Sequence, residues 1–200
     1  MTNLNKHIFN WNGLEVAWNK KGTLSNKPVK TLLIHGFGAN KDHWRHNQSI
    51  LGTFNESYAI DLIGFGESSQ PNSCIKGEKE CSENFCYNFE NWSKQIADFT
   101  KLIIKQPVIL IGNSIGGVIA LRAAKILGSS CVGVILINCA QRLMDDKQLK
   151  NQAIFQKKMR PLLKFITSKR WLSKNLFKNA AKPAFIKKVL QQAYPSGSNI

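Results

Sequence analysis

Residues 107–117 read Pro-Val-Ile-Leu-Ile-Gly-Asn-Ser-Ile-Gly-Gly. The first half, Pro107 to Gly112, is a short apolar run of the kind a strand buried on both faces requires. The second half opens a small, apolar stretch, Ile115 to Leu127, which reads as a helix stopped by Gly128. Ser114 therefore stands on the turn between a buried strand and a helix. Such a turn is strained, so the residues two before and two after the serine must be tiny, and Gly112 and Gly116 meet that need. The first turn of the helix offers unpaired backbone N–H groups and the positive end of the helix dipole, and both favour negative charge developing beside Ser114. A glycine-rich turn of this kind can instead cradle a phosphate. No Walker-type lysine follows, however, and the spacing is not Gly-x-Gly-x-x-Gly, so Ser114 is read as a nucleophile.

Similar apolar runs lie at Val29–His35, Ser57–Leu62 and Val132–Ile137. Between them, Trp92, Ile96, Phe99 and Ile103 fall on one face of a helix predicted over Phe89–Ile104, with Asn88 as its N-cap. Strands alternating with helices predict a mostly parallel α/β sheet. At the N-terminus, His7–Trp11 and Leu14–Trp18 flank Asn12-Gly13, a hairpin signal. Ser68 to Tyr87 is polar and reads as a loop or insertion. After Ala140 the strand signals stop, and short basic helices broken near Pro161, Pro183 and Pro195 follow.

Two further segments follow predicted strands. His35-Gly36-Phe37-Gly38 closes the first. Asp61-Leu62-Ile63-Gly64-Phe65-Gly66-Glu67-Ser68 closes the second. Asp61 is open to two readings, a general base or a turn-fixing carboxylate, and the glycines at 64 and 66 favour the second.

The order His-Gly-Phe-Gly, Asp-x-x-Gly-x-Gly-x-Ser, Gly-Asn-Ser-x-Gly-Gly resembles the α/β-hydrolase superfamily, strongly over residues 8–140 and weakly to the end. Trp11, Gly13, Trp18, Trp44-Arg45-His46-Asn47 and Leu136-Ile137-Asn138 are similar to its pheophytinase-like, chlorophyll-ester branch. The resemblance implies an α/β-hydrolase fold: a mostly parallel sheet flanked by helices, an N-terminal hairpin and a helical cap. It divides the chain into a core, residues 1–140, and a partial cap, residues 141–200. It makes Ser114 the nucleophile in a serine esterase-like branch, since dehalogenases and epoxide hydrolases carry aspartate there. It implies an oxyanion hole from the backbone N–H groups of Phe37 and Ile115. Gly36 and Gly38 then shape the loop. His35 braces that loop and is not the base, because the superfamily's order is serine, acid, histidine. The implied substrate is an apolar carboxylic ester or similar acyl compound, with no metal and no organic cofactor. The pattern departs from the superfamily in one respect. The four histidines, His7, His35, His43 and His46, all precede Ser114, and the only later acids are Asp145 and Asp146. The chain is therefore expected to be truncated before the last strands and catalytically incompetent alone. An alternative is a non-catalytic fragment that binds a membrane surface.

Composition sets the remaining bounds. At 200 residues, 43% apolar and 20% charged, the chain is globular and long enough for a sizeable core. No apolar run reaches a membrane span and no secretory signal opens the chain, so the expected compartment is cytoplasmic. Net charge is +16, and residues 141–200 carry 14 Lys and Arg against two acids. The preferred reading is a solvated helical surface. An anionic membrane surface is the alternative, and no nucleic-acid module appears. Cys74, Cys81, Cys86, Cys131 and Cys139 read as reduced thiols without zinc spacing. Without later strands, Val132–Ile137 is expected to become an exposed sheet edge prone to self-association.

Overall fold

The computed structural model describes residues 7–22, 28–74 and 85–139. Cys81 and the predicted cap over residues 141–200 lie outside them. The described residues all fall within one compact unit, residues 1–74 and 78–142. They build a six-stranded sheet in the order β1-β2-β4-β3-β5-β6.

β1 (His7–Trp11) and β2 (Leu14–Lys21) form the hairpin, with Trp11 opposite Leu14. Asn12 and Gly13 take φ of 52° and 80°. Two left-handed residues in succession give the twist that matches paired strands. β2 runs three residues past the predicted Trp18 because its second half pairs antiparallel with β4 (Ser57–Ile60), Lys21 meeting Ser57. From there the sheet is parallel: β4 beside β3 (Lys30–Ile34), then β5 (Val108–Asn113), then β6 (Cys131–Ile137). The four central runs are thus parallel neighbours, as their unbroken apolar character demands.

Both faces of the central strands β3, β4 and β5 are covered. Leu32, Ile34, Ile60, Val108 and Leu110 point into the larger core with Trp11, Phe99 and Ile119. Leu33, Ala59 and Ile111 point the other way, toward Trp44. Trp44 ends a 3₁₀ turn (Lys41–Trp44) that runs into α1 (Arg45–Leu51). α2 (Phe89–Phe99) and α3 (Ile115–Leu127) pack against each other on the larger core. Asn88 caps α2, its side-chain oxygen accepting the Asn91 N–H at 2.8 Å. At the far end of α3, Gly128 (φ 56°) sends its N–H back to Ala124.

One expectation needs correction. The α-helical pattern does not hold to Ile104. α2 gives way to a π-helical turn over Thr100–Ile104, closed by Lys105 N–H on the Thr100 carbonyl at 2.8 Å. The wider turn takes in one extra residue and carries the apolar face past Ile103, so Ile104 is buried and Ile103 only half-buried.

Among the described residues, no helix is long and apolar enough to cross a membrane. Cys86, Cys131 and Cys139 are free thiols.

Candidate active site

β5 delivers the chain to Ser114, where φ is 54° and ψ is −119°. A serine here is strained, because its Cβ crowds the backbone at positive φ. The surroundings hold it in place. The Ser114 N–H donates to the Ile137 carbonyl at the end of β6 (2.9 Å), and the Ser114 carbonyl accepts the Gly117 N–H (3.1 Å). There is no room for side chains nearby. A Cβ on Gly112 would overlap the Gly116 carbonyl, and one on Gly116 would come within 2.5 Å of the Ile34 and His35 carbonyl oxygens. A Cβ on Gly117 would come within 2.8 Å of the Cys139 sulfur.

The loop after β3 reaches the same place. A Cβ on Gly36 would lie 3.2 Å from the Ser114 Cβ. Phe37 is the next residue, and Gly38 (φ 71°) turns the chain away with open space around it. Among the described residues, the N–H groups of Phe37 and Ile115 make no hydrogen bond and the Ser114 hydroxyl has no partner. The structure thus brings together Ser114, Gly36, Phe37, Ile115, Gly112 and Gly116. Two unpaired N–H donors beside one hydroxyl can receive an oxyanion formed by attack of that hydroxyl.

His35 is fully buried beneath this loop. Its Nε2 accepts the Leu62 N–H at 3.1 Å, and its Nδ1 lies 2.7 Å from the Gly36 carbonyl oxygen. An amide N–H can only donate and a carbonyl can only accept, so the proton sits on Nδ1. Both ring nitrogens are occupied, leaving none to take a proton from Ser114. Burial also pushes the His35 pKa below its usual value and keeps the ring neutral.

Asp61 is likewise committed. Its carboxylate accepts the N–H of Lys41 (2.5 Å) and of Glu67 (2.9 Å), with the Lys41 ammonium at 3.3 Å. A Cβ on Gly66 would run into that carboxylate. The Asp61 carbonyl accepts from Ser68 Oγ (2.8 Å) and Gln95 Nε2 (3.0 Å). This is a turn-fixing carboxylate. The loop after β3 is consequently tied down at both ends on two adjacent residues, His35 to Leu62 and Lys41 to Asp61.

Sequence reasoning missed Lys41 and Gln95. Burial pulls the Lys41 ammonium down, but Glu67 at 2.7 Å and Asp61 outweigh it and hold its pKa above the usual lysine value. Gln95 is fully buried and also accepts the Ile63 N–H at 3.1 Å. A lysine in a polar loop and a glutamine in an amphipathic helix carry no local signal. His43 is half-buried against Trp44, His46 is exposed on α1, and His7 stacks on Trp18 in the hairpin.

A sequence model of the alpha/beta hydrolase family matches residues 31–197. The chain belongs to the alpha/beta hydrolase family. Its curated relatives include a pig 1-acylglycerol-3-phosphate O-acyltransferase, ABHD5, which is 35% identical over 97 residues, 48% of this chain and 25% of that protein. Another is the chloroplastic pheophytinase of Arabidopsis thaliana, 26% identical over 62% of this chain and 30% of that protein. The chain therefore matches about a quarter to a third of the length of these relatives. Among solved structures, a membrane phospholipase A is 27% identical with a TM-score of 0.60, over 94% of this chain and 63% of that one. An α/β-hydrolase fold protein from Burkholderia ambifaria has a TM-score of 0.61 at 18% identity, over 94% of this chain and 57% of that one.

Proposed function

We propose that this chain carries the nucleophile and oxyanion hole of a serine hydrolase that cleaves a carboxylic ester, with a lipid-like acyl compound as substrate. The observation that carries this reading is Ser114 at φ 54° beside the unpaired N–H groups of Phe37 and Ile115. The Ser114 hydroxyl attacks the ester carbonyl, and the two N–H groups hold the resulting oxyanion. The alcohol then leaves, and water or a second alcohol releases the acyl group. Acyl chemistry on lipids is in keeping with a relative named as a 1-acylglycerol-3-phosphate O-acyltransferase and a neighbour named as a membrane phospholipase A. The general base and its orienting acid come from outside the described residues, since His35 and Asp61 are committed elsewhere.

The test is labelling with a fluorophosphonate, which reacts with activated serines. A protein that carries residues 1–200 together with a base and its orienting acid labels at Ser114, and Ser114→Ala abolishes both labelling and hydrolysis of p-nitrophenyl esters. Hydrolysis that survives Ser114→Ala refutes the assignment. The 200-residue polypeptide alone hydrolyses such esters only at the residual level that oxyanion-hole binding supports, roughly 10³–10⁴-fold over water. Turnover at about 1–10³ per second would contradict this.

The basic residues 141–200, proposed as a partial cap, favour contact with an anionic lipid surface, from which such a substrate would be drawn. Co-sedimentation with phosphatidylserine vesicles, lost at high salt, tests that contact.

A further inference from the structure

We propose that the Phe37 side chain, seated edge-on against Phe65, is the surface on which the site receives the apolar group next to the scissile bond. The site then selects esters carrying an alkyl chain or aromatic ring there over acetate-sized ones. The proposal rests on the serine-hydrolase reading and adds the residue that recognises the apolar group of its substrate.

Phe37 is 78% exposed, more than any other large apolar residue among those described. Isolated exposed apolar residues are ordinary, so exposure alone argues nothing. The surroundings of Phe37 are what matter. It follows Gly36, which lies against Ser114, and its own N–H makes no hydrogen bond among the described residues. One residue therefore offers a donor to the reacting carbonyl through its backbone and an apolar ring to whatever hangs from that carbonyl.

The ring is also supported. Its centroid lies 5.5 Å from that of Phe65, at an interplanar angle of 78°. Phe65 is half-buried and rests in turn on His35 (5.5 Å, 75°) and Trp92 (6.0 Å). His35 and Trp92 are buried, so Phe37 is the outermost ring of a stack rooted in the core. Edge-to-face geometry of this kind is the favourable arrangement for aromatic pairs. Gly38 beside it carries no side chain, and a Cβ there would meet nothing within 4 Å. The loops after β3 and β4 thus supply a preorganised apolar wall at the carboxyl end of the parallel strands, where ligands bind in open α/β sheets.

The experiment compares the natural protein with Phe37→Ala and Phe65→Ala. kcat/KM is measured for p-nitrophenyl acetate, butyrate, octanoate and benzoate, and Ser114 labelling by a small fluorophosphonate is measured in parallel. Alanine at 37 keeps the backbone N–H, so the oxyanion donor survives. Phe37→Ala is expected to lower kcat/KM on octanoate and benzoate roughly tenfold more than on acetate, so that the octanoate-to-acetate ratio is what the experiment reads. Phe65→Ala shifts the same ratio by less, and Phe37→Leu restores most of the octanoate rate. Equal losses on all four esters, or no loss on any, with Ser114 still labelled, overturn the apolar wall and leave the nucleophile standing. A wild-type protein that neither labels nor hydrolyses any ester overturns both.

Discussion

Lys41 meets Asp61 twice, through its backbone N–H at 2.5 Å and its ammonium at 3.3 Å. Both groups are buried, and among the described residues the other carboxylates near the ammonium are Glu67 at 2.7 Å and Asp42 at 3.8 Å, both exposed. Removing Asp61 strands two backbone donors and leaves the Lys41 ammonium held chiefly by Glu67 at 2.7 Å. Asp61→Ala is expected to destabilise the fold by about 1–3 kcal/mol for each donor left unsatisfied. Adding Lys41→Met to it recovers part of that loss, because the charge goes with its partner. Urea denaturation of the single and double variants measures both. Strictly additive losses would show that the two side chains do not interact.

How much of this arrangement the sequence discloses depends on the range of the interactions. The hairpin is legible because Asn12-Gly13 encodes its turn locally. The four parallel strands are legible because burial on both faces leaves an unbroken apolar run. The serine turn is legible because Gly112 and Gly116 must be small within five residues of each other. The role of His35 can be anticipated, but not its partner, since the Leu62 N–H arrives through the parallel pairing of β3 with β4. Lys41 is illegible for the same reason: Asp61 and Glu67 lie 20 and 26 residues away. The π turn at Thr100–Ile104 leaves no mark on a 3.6-residue periodicity.

Acid stability separates two buried groups. His35 titrates below its ordinary value of 6.5 when folded. As pH falls through 6.5 the unfolded chain takes up a proton that the folded chain refuses, so stability declines below that pH. Glu56 acts lower. Burial opposes its charge, but Lys20 at 2.8 Å and Lys30 at 3.0 Å hold its pKa below the ordinary 4.5. Its contribution is therefore intact above 4.5 and fades as pH drops through the depressed folded value. His35→Gln should lower stability at pH 7 yet flatten the decline between 6.5 and 4.5. Glu56→Gln should leave that window unchanged and flatten the decline below it. Denaturation midpoints from pH 8 to 3 decide the matter, and a His35→Gln profile parallel to wild type would refute the histidine assignment.

The three glycines around Ser114 should not be equally intolerant. At Gly112 and Gly116 an added methyl meets backbone, which cannot move without shifting β3 or α3. Gly112→Ala and Gly116→Ala are expected to cost about 1–3 kcal/mol or more and to abolish Ser114 labelling. At Gly117 the nearest atoms belong to the Cys139 side chain. Gly117→Ala should be milder, and Cys139→Ala should rescue it by vacating that space. Equal damage at all three positions, without rescue, would mean that the backbone at Gly117 is just as constrained.

Among the described strands, β6 has a neighbour on one side only, and Val132, Ile135, Leu136 and Ile137 are exposed along it. Its sequence from Val132 is Val-Gly-Val-Ile-Leu-Ile, apolar, uncharged and without proline. Such an edge offers unpaired backbone groups and side chains suited to pairing with a second copy. The 200-residue polypeptide is expected to self-associate through β6. The choice of substitution matters. Val134 packs against the larger core, so Val134→Lys would bury a charge and unfold the chain. Ile135 is 48% exposed, so Ile135→Lys keeps the fold while placing a charge where another edge would dock. Light scattering after size exclusion should show wild type shifting to monomer in Ile135→Lys with an unchanged unfolding midpoint. A wild type that is already monomeric and unfolds cooperatively would show that this edge is covered.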